Sequence, residues 1–289
     1  MLIKNSILTF LMFFSFSVFA QNKNVQIIDN KQDSIKNFMF KIISLESADD
    51  KLKYGDTITN IFRSALKYDE SWDYEFDSLT NFVSILKSDD NKVKIYTWSI
   101  FFDDGTFKYY GFVQTKDKEN GLFFLDDKSD NIANVENKKL DHNEWFGAIY
   151  YKILGVKDGN KTSYTLLGWD GNTNLSQKKL IEGLSFNKKG EPEFGSSFEI
   201  EKKRTNRVIF EYNKQANMIL RYDEKYKMII FDHLSPSEYE YTGLPQYYGP
   251  DFSYDALFFE KGKWNYLSDV DVRNPKKDKK EAKKLRYGF

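Results

Sequence analysis

The chain has no cysteine among its 289 residues and only two histidines. Without thiols there are no disulfides, thiol nucleophiles, zinc–thiolate centres or iron–sulfur clusters. Neither charge sign is in excess, with 43 Lys+Arg against 43 Asp+Glu. The basic footprint of a general nucleic-acid binder is therefore missing too. Aromatic residues, by contrast, are abundant at 17%, beside 30% charged residues. Disordered chains lack the bulky apolar groups that offset chain entropy, so this composition describes one large folded domain or two small ones.

Apolar runs are short everywhere except near the start. Lys4 precedes residues 7–19, which are apolar apart from Thr9, Ser15 and Ser17, and Val18-Phe19-Ala20 closes the run with a small residue. A positive start, an apolar centre of this length and a small-residue cut site describe a secretory signal peptide. The expected division is therefore a signal peptide over 1–20 and a mature chain from Gln21, exported to the periplasm or the cell surface. The run falls short of the roughly 20 residues a bilayer span needs. No cysteine stands at the cut to carry a lipid, and no later run is long enough to cross a membrane.

The last 14 residues, 276–289, hold seven basic and two acidic side chains. With Lys4 removed, residues 21–275 carry 35 basic against 41 acidic groups, an acidic body followed by a basic tail after Pro275. Such a run is a solvated tail or a contact for an anionic surface such as lipid headgroups or acidic glycan.

Residues 21–90 read as helical. Ile35, Phe38, Met39, Ile42 and Ile43 share one helix face, and Ile58, Ile61, Phe62, Ala65 and Leu66 repeat that spacing behind Asp56 or Thr57 as cap. Leu79, Phe82, Val83 and Leu86 predict a third helix capped by Asp77 or Ser78. From residue 91 to 275 the pattern is β. Residues 93–102 and 106–115 are aromatic and β-branched and flank Asp103-Asp104-Gly105, a strong hairpin signal because glycine accepts the positive φ of a tight turn. Gly159, Gly190 and Gly262 punctuate further runs. No helical pattern alternates with the strands, which argues against a parallel βαβ sheet. The expected class is α+β: N-terminal helices packed on a predominantly antiparallel meander or sandwich, with a small propeller as the alternative.

The segments RVIFEYNKQANMILRYDEKYKMIIFDHLSP and YGPDFSYDALFFEKGKWNYLSDVDVRNP, about a fifth of the chain, resemble exported proteins of Bacteroidota with no assigned function. They carry no catalytic signature. The resemblance implies an exported β-rich protein and transfers no site residues.

Candidate chemistry is sparse. His142 and His233 lie 91 residues apart and lack the fixed spacing of a helical metal motif, so both read as hydrogen-bonded turn residues. No Gly-x-Ser-x-Gly elbow singles out a serine. Asp170, Asn172 and Asn174 place oxygens at alternate positions as a calcium loop does, but Leu175 and Ile181 stand where that loop needs its glycine and bidentate glutamate. A plain turn explains the same residues, and no cofactor is expected. Asp269 and Asp271 would share one face of a strand, opposite Trp264, Tyr266 and Val270.

The best candidate for recognition is 235–254, read as a long loop. It gathers Tyr239, Tyr241, Tyr247, Tyr248, Phe252 and Tyr254 among Pro236, Gly243, Pro245, Gly249 and Pro250. Long ordered loops are often functional, and tyrosine joins a stacking face to a hydroxyl, which suits sugar rings and peptide surfaces. The alternative is a lid over the sheet. These features favour an exported, non-catalytic binding or envelope-associated protein that recognises a glycan or another cell-envelope protein. The competing class is a carboxylate-dependent hydrolase of glycan or ester substrates.

Overall fold

The computed structural model describes residues 2–116, 121–159, 161–200 and 203–271, with side chains from residue 23 onward. The basic tail 276–289 and the side chains of the leader lie outside the described residues. The chain divides into two units, Met1–Val83 and Ser84–Phe289. Among the described residues no helix is long and apolar enough to cross a membrane.

The first unit holds α1 (Leu2–Ile43) and α2 (Ala48–Leu66). Ile28, Ile35, Met39 and Ile42 of α1 are buried, as are Ile58, Phe62, Ala65 and Leu66 of α2, so both sequence stripes are core faces. Ile43, expected on the same stripe, is 72% exposed because the helix ends there. α2 begins earlier than its apolar stripe suggested. The Ser47 hydroxyl, rather than Asp56 or Thr57, accepts the Asp50 amide at 3.3 Å, the N-terminal bond that helix starts require. The third predicted helix does not form. Asp77–Leu79 is a single 3-10 turn, and Ser84–Lys87 is a strand. Asp, Ser, Thr, Asn and Val fill that segment, and their hydroxyls, amides and branched stems disfavour helix, so strand pairing prevails.

The second unit is three open sheets. The first is a meander of β1 (Ser84–Lys87), β2 (Val93–Phe101), β3 (Phe107–Thr115) and β4 (Leu122–Asp126). The expected Asp103-Asp104-Gly105 hairpin joins β2 to β3, with Gly105 at φ +89° and the Asp104 carboxylate accepting the Thr106 amide. The second sheet comprises β5 (Leu140–Asp141), β6 (Ile149–Asp158), β7 (Lys161–Asp170), β8 (Ser176–Phe186), β9 (Pro192–Phe194) and β12 (Arg207–Asn213). Their order is β5-β9-β8-β7-β6, and β12 also pairs β8. β8 thus forks. Residues 176–182 pair with β12 and 184–186 with β9, and the Gly183 carbonyl between them accepts the Gly195 amide at 2.7 Å. The third sheet adds β10 (Phe198–Ile200), β11 (Lys203–Thr205), β13 (Leu220–Asp223), β14 (Met228–Pro236), β15 (Tyr248–Glu260) and β16 (Lys263–Leu267), ordered β11-β10-β16-β15-β14-β13. Every ladder is antiparallel except β10 with β16. Sheets of four, six and six strands are not the repeated blades of the propeller alternative; the class is α+β.

The second sheet is the middle layer. One core joins Ile95, Val113 and Leu125 to Trp145, Leu166, Leu180 and Phe194. Another joins Leu167, Ile181 and Val208 to Ile229, Phe231, Leu257 and Trp264. Leu166 and Leu167 therefore face opposite cores, which is why β7 reads as an apolar run rather than an alternation. Its charged centre is the cross-strand pair Glu182 and Arg207, both fully buried. Arg207 Nε donates to Glu182 Oε2 at 2.6 Å and Nη1 to the Val135 carbonyl at 2.7 Å. The second Glu182 oxygen accepts the Tyr150 hydroxyl, which itself accepts Trp145 Nε1 at 2.8 Å. Among the described residues Arg207 Nη2 makes no hydrogen bond of its own but lies 2.5 Å from Glu182 Oε2 as an ion pair. Buried charges persist when paired and hydrogen-bonded in this way.

Candidate functional site

The site lies where β14 hands over to β15. Pairing runs from Met228↔Phe258 to Asp232↔Tyr254, then jumps to Leu234↔Pro250. Asp251, Phe252 and Ser253 are looped out at that jump. The predicted long loop is consequently shorter. β14 runs through Pro236 and β15 resumes at Tyr248, leaving 237–247 as the connection. Proline is tolerated at 250 because β16 pairs only with 256–260, so that stretch of β15 has one neighbour. The connection is tied at its base by the Ser237 amide donating to the Tyr247 carbonyl at 3.0 Å. Within it, two 3-10 turns, Tyr239–Tyr241 and Pro245–Tyr247, replace regular structure.

Residues 235–237 and 247–251 enclose a cleft of about 330 Å3 with Asn213 and Ala216. Sequence reasoning found the Tyr247 and Tyr248 wall but missed the opposite one. Asn213 arrives from the end of β12, and its Nδ2 donates to the Gln246 carbonyl at 2.7 Å. Pairing across 33 residues leaves no local pattern to read.

The six aromatic candidates divide by environment. Tyr239 is 93% and Phe252 86% exposed. Tyr241 and Tyr247 stack with ring centroids 4.3 Å apart and planes 19° from parallel. The Tyr248 hydroxyl accepts the Gly243 amide at 3.0 Å and braces the loop. Tyr254 packs against the cluster of Met228, Ile230 and Ala256 and does not line the cleft. Phe252 is the unusual member. It sits at φ +71°, the left-handed region that disfavours a bulky side chain. The bulge is held by Asp251, which accepts the Ser253 amide at 3.0 Å, the Ser253 hydroxyl at 2.7 Å and the Ser235 hydroxyl at 3.0 Å. A strained backbone that displays an unpacked ring is the kind of outlier that gathers at functional sites.

Burial pushes the Asp251 carboxyl up, but the Ser253 and Ser235 hydrogen bonds and nearby His233 outweigh it and hold it below the usual carboxylate range. Beside it, burial raises Asp232 against the opposing Ile219 amide and Lys179. His233 is a strand residue at the register jump rather than a turn residue, and its Nδ1 lies 2.8 Å from Asp255. Asp255 also accepts the Tyr266 hydroxyl at 2.8 Å and the Asp269 amide at 3.0 Å. The expected carboxylate pair on a strand does not exist. β16 ends at Leu267, Asp269 adopts φ +52°, and the Val270 amide returns to the Tyr254 carbonyl at 2.7 Å. The Asp255 carboxylate favours this turn over extending the strand.

Two of the three calcium-like residues hold a lysine. Asn172 Oδ1 accepts Lys178 Nζ at 2.7 Å, and Asp170 Oδ2 lies 3.8 Å from the same ammonium. Asp170 Oδ1 accepts the Tyr109 hydroxyl and the Asn172 amide. Asn174 turns away, donating to the Asp104 carbonyl at 2.9 Å. Asp170 as acceptor and Asn174 as donor brace the turn against the β2–β3 hairpin. His142 stands apart, with Nδ1 3.2 Å from the Phe124 carbonyl. Among the described residues no group of three His, Cys, Asp or Glu side chains converges as a metal site would require. No protein-family model and no curated protein matches this sequence.

Proposed function

We propose that the chain is exported and acts in the periplasm or at the cell surface as a binding protein whose tyrosine-rich face recognises a glycan. The leader sequence supports the location. The observations that carry the binding role are the cleft of about 330 Å3 walled by Tyr247 and Tyr248, and the almost wholly exposed rings of Tyr239 and Phe252, which do not line it but follow its lining residues Ser237 and Asp251 closely in the chain. Aromatic faces stack on the C–H faces of a sugar ring, while Asp251, Ser235 and Ser237 offer acceptors and donors to its hydroxyls. Asp251 is held ionised, the state of a hydroxyl acceptor. A hydrolase would need a carboxyl raised toward neutrality at the cleft to protonate a leaving group; Asp232, which burial raises, does not line it.

The test is the full chain on a glycan array, beside Tyr239→Ala and Phe252→Ala. Rings this exposed bury little, so each variant keeps its melting temperature while glycan retention falls. Retention unchanged in both variants, or no retained glycan while an envelope protein is captured, overturns the glycan reading. Cell fractionation with N-terminal sequencing tests export. A first residue of Gln21 in the periplasmic or surface fraction supports it, and an intact precursor in the cytosol refutes it.

A further inference from the structure

From Asp232 to Glu260 the chain holds six carboxylates, Asp232, Glu238, Glu240, Asp251, Asp255 and Glu260, and no lysine or arginine. Two of them are already engaged, Asp232 facing Lys179 and Asp255 tied to His233 and Tyr266. Among the described residues no ion pair joins Glu238, Glu240 or Asp251 to a basic side chain. These three flank the most exposed rings, Tyr239 and Phe252. An acidic, aromatic surface suits long cationic side chains, whose stems lie on rings while their heads meet carboxylates.

The same chain carries the complement. Residues 276–289 contain six lysines and Arg286. The last described residues lie near the face, the Val270 amide donating to the Tyr254 carbonyl at 2.7 Å, and Tyr254 is three residues from Asp251. Lys276 is five positions beyond Asp271, a reach of at most about 17 Å, and the 14 basic-rich residues extend up to about 46 Å at roughly 3.3 Å each. A short tether also gives an effective concentration in the millimolar range, so weak contacts suffice.

We propose that the basic segment 276–289 docks on the tyrosine-rich acidic face of its own molecule, across Glu238, Glu240 and Asp251, and competes there with the external ligand. The competition rests on the binding role proposed above; the docking does not.

Zero-length carbodiimide coupling of the full chain, with crosslinked peptides mapped from the monomer band, tests the docking. Lysines of 276–289 are expected to join Glu238, Glu240 and Asp251 in preference to other exposed carboxylates. The yield should collapse at 1 M salt, where screening shortens to about 3 Å. Glu238→Gln with Glu240→Gln, both at exposed positions, should move or abolish the crosslinks. Adding Asp251→Asn extends the series, with circular dichroism to check the bulge. Crosslinks spread over other faces, unchanged in the double variant, or confined to dimers overturn the proposal. On the glycan array, Lys-to-Gln changes at 276, 277, 279 and 280 should increase retention. If docking fails while Tyr239→Ala still loses glycan, only the docking falls. If docking holds and the array stays blank, only the glycan reading falls.

Discussion

Arg207 and Glu182 are both completely buried, so replacing one of them strands the other. In Arg207→Met the Glu182 carboxylate keeps the Tyr150 hydroxyl and loses its cation, while the Val135 carbonyl loses one donor and keeps the Lys138 amide at 3.3 Å. Breaking a buried pair from one side costs about 3–5 kcal/mol. For a unit of this size each kcal/mol moves the melting temperature by about 2–4 °C, so a fall of about 6–20 °C is expected. Glu182→Leu should cost a similar amount, leaving a buried guanidinium with one carbonyl. In the double variant neither charge is left; the Tyr150 hydroxyl keeps the Trp145 Nε1 donor but loses its acceptor, and the Val135 carbonyl keeps the Lys138 amide, so the residual cost is about 1–3 kcal/mol in all. The double variant should thus be no worse than either single one, far from the sum. Urea and thermal melts followed by tryptophan fluorescence measure this. A loss below about 1 kcal/mol in Arg207→Met, or additive singles, would refute the argument that desolvated charge dominates here.

Gly105→Ala should destabilise by about 1–3 kcal/mol, since φ is +89° and a Cβ would lie 2.1 Å from the Asn174 side chain; an unchanged melt would show that the two turns move independently. Calcium at millimolar concentration should leave the melting temperature unchanged, because the Lys178 ammonium already engages Asp170 and Asn172 and Asn174 faces Asp104; a rise abolished by Asp170→Ala would contradict this. The Asp251 carboxyl lies below its ordinary 3.8 in the folded chain. It therefore contributes stability above that value and loses it as pH falls through the folded one. Asp251→Asn should lower the melting temperature at pH 7, with the gap closing below pH 3.8; a gap independent of pH would count against it. Phe252→Gly removes an exposed ring from a left-handed position, so stability should hold or rise by up to about 1 kcal/mol, and a clear loss would mean that the ring packs in solution.

Local chemistry made parts of the fold legible. The Asp-Asp-Gly turn announces β2–β3 because only certain residues accept its geometry, and the stripes around Ile35 and Ile58 announce helices because burial repeats every turn. The stripe at Leu79 misled because four apolar residues at helical spacing also fit a 3-10 turn followed by a strand, and hydroxyl-rich neighbours decided between them. Asp269 and Asp271 followed strand alternation on paper, yet a distant carboxylate, Asp255, captured the Asp269 amide and ended the strand. The rings of the cleft were visible as composition. Their sorting into displayed, stacked and half-buried members depends on the register jump between Asp232 and Leu234, which pairing across strands alone determines.

The fork in β8 bears on how the middle sheet resists mispairing. Two short strands share one rim of β8 end to end, meeting at Gly183, so little of that rim is open to a foreign strand. A one-residue slip of β12 would turn Arg207 away from Glu182 and push its own end toward the Gly195 junction that β9 occupies. Each strand thus acts as a stop for the other, and the twelve residues between Phe194 and Arg207 must close before either stop is set. Lengthening that connection should slow assembly of the layer while leaving its final alignment intact.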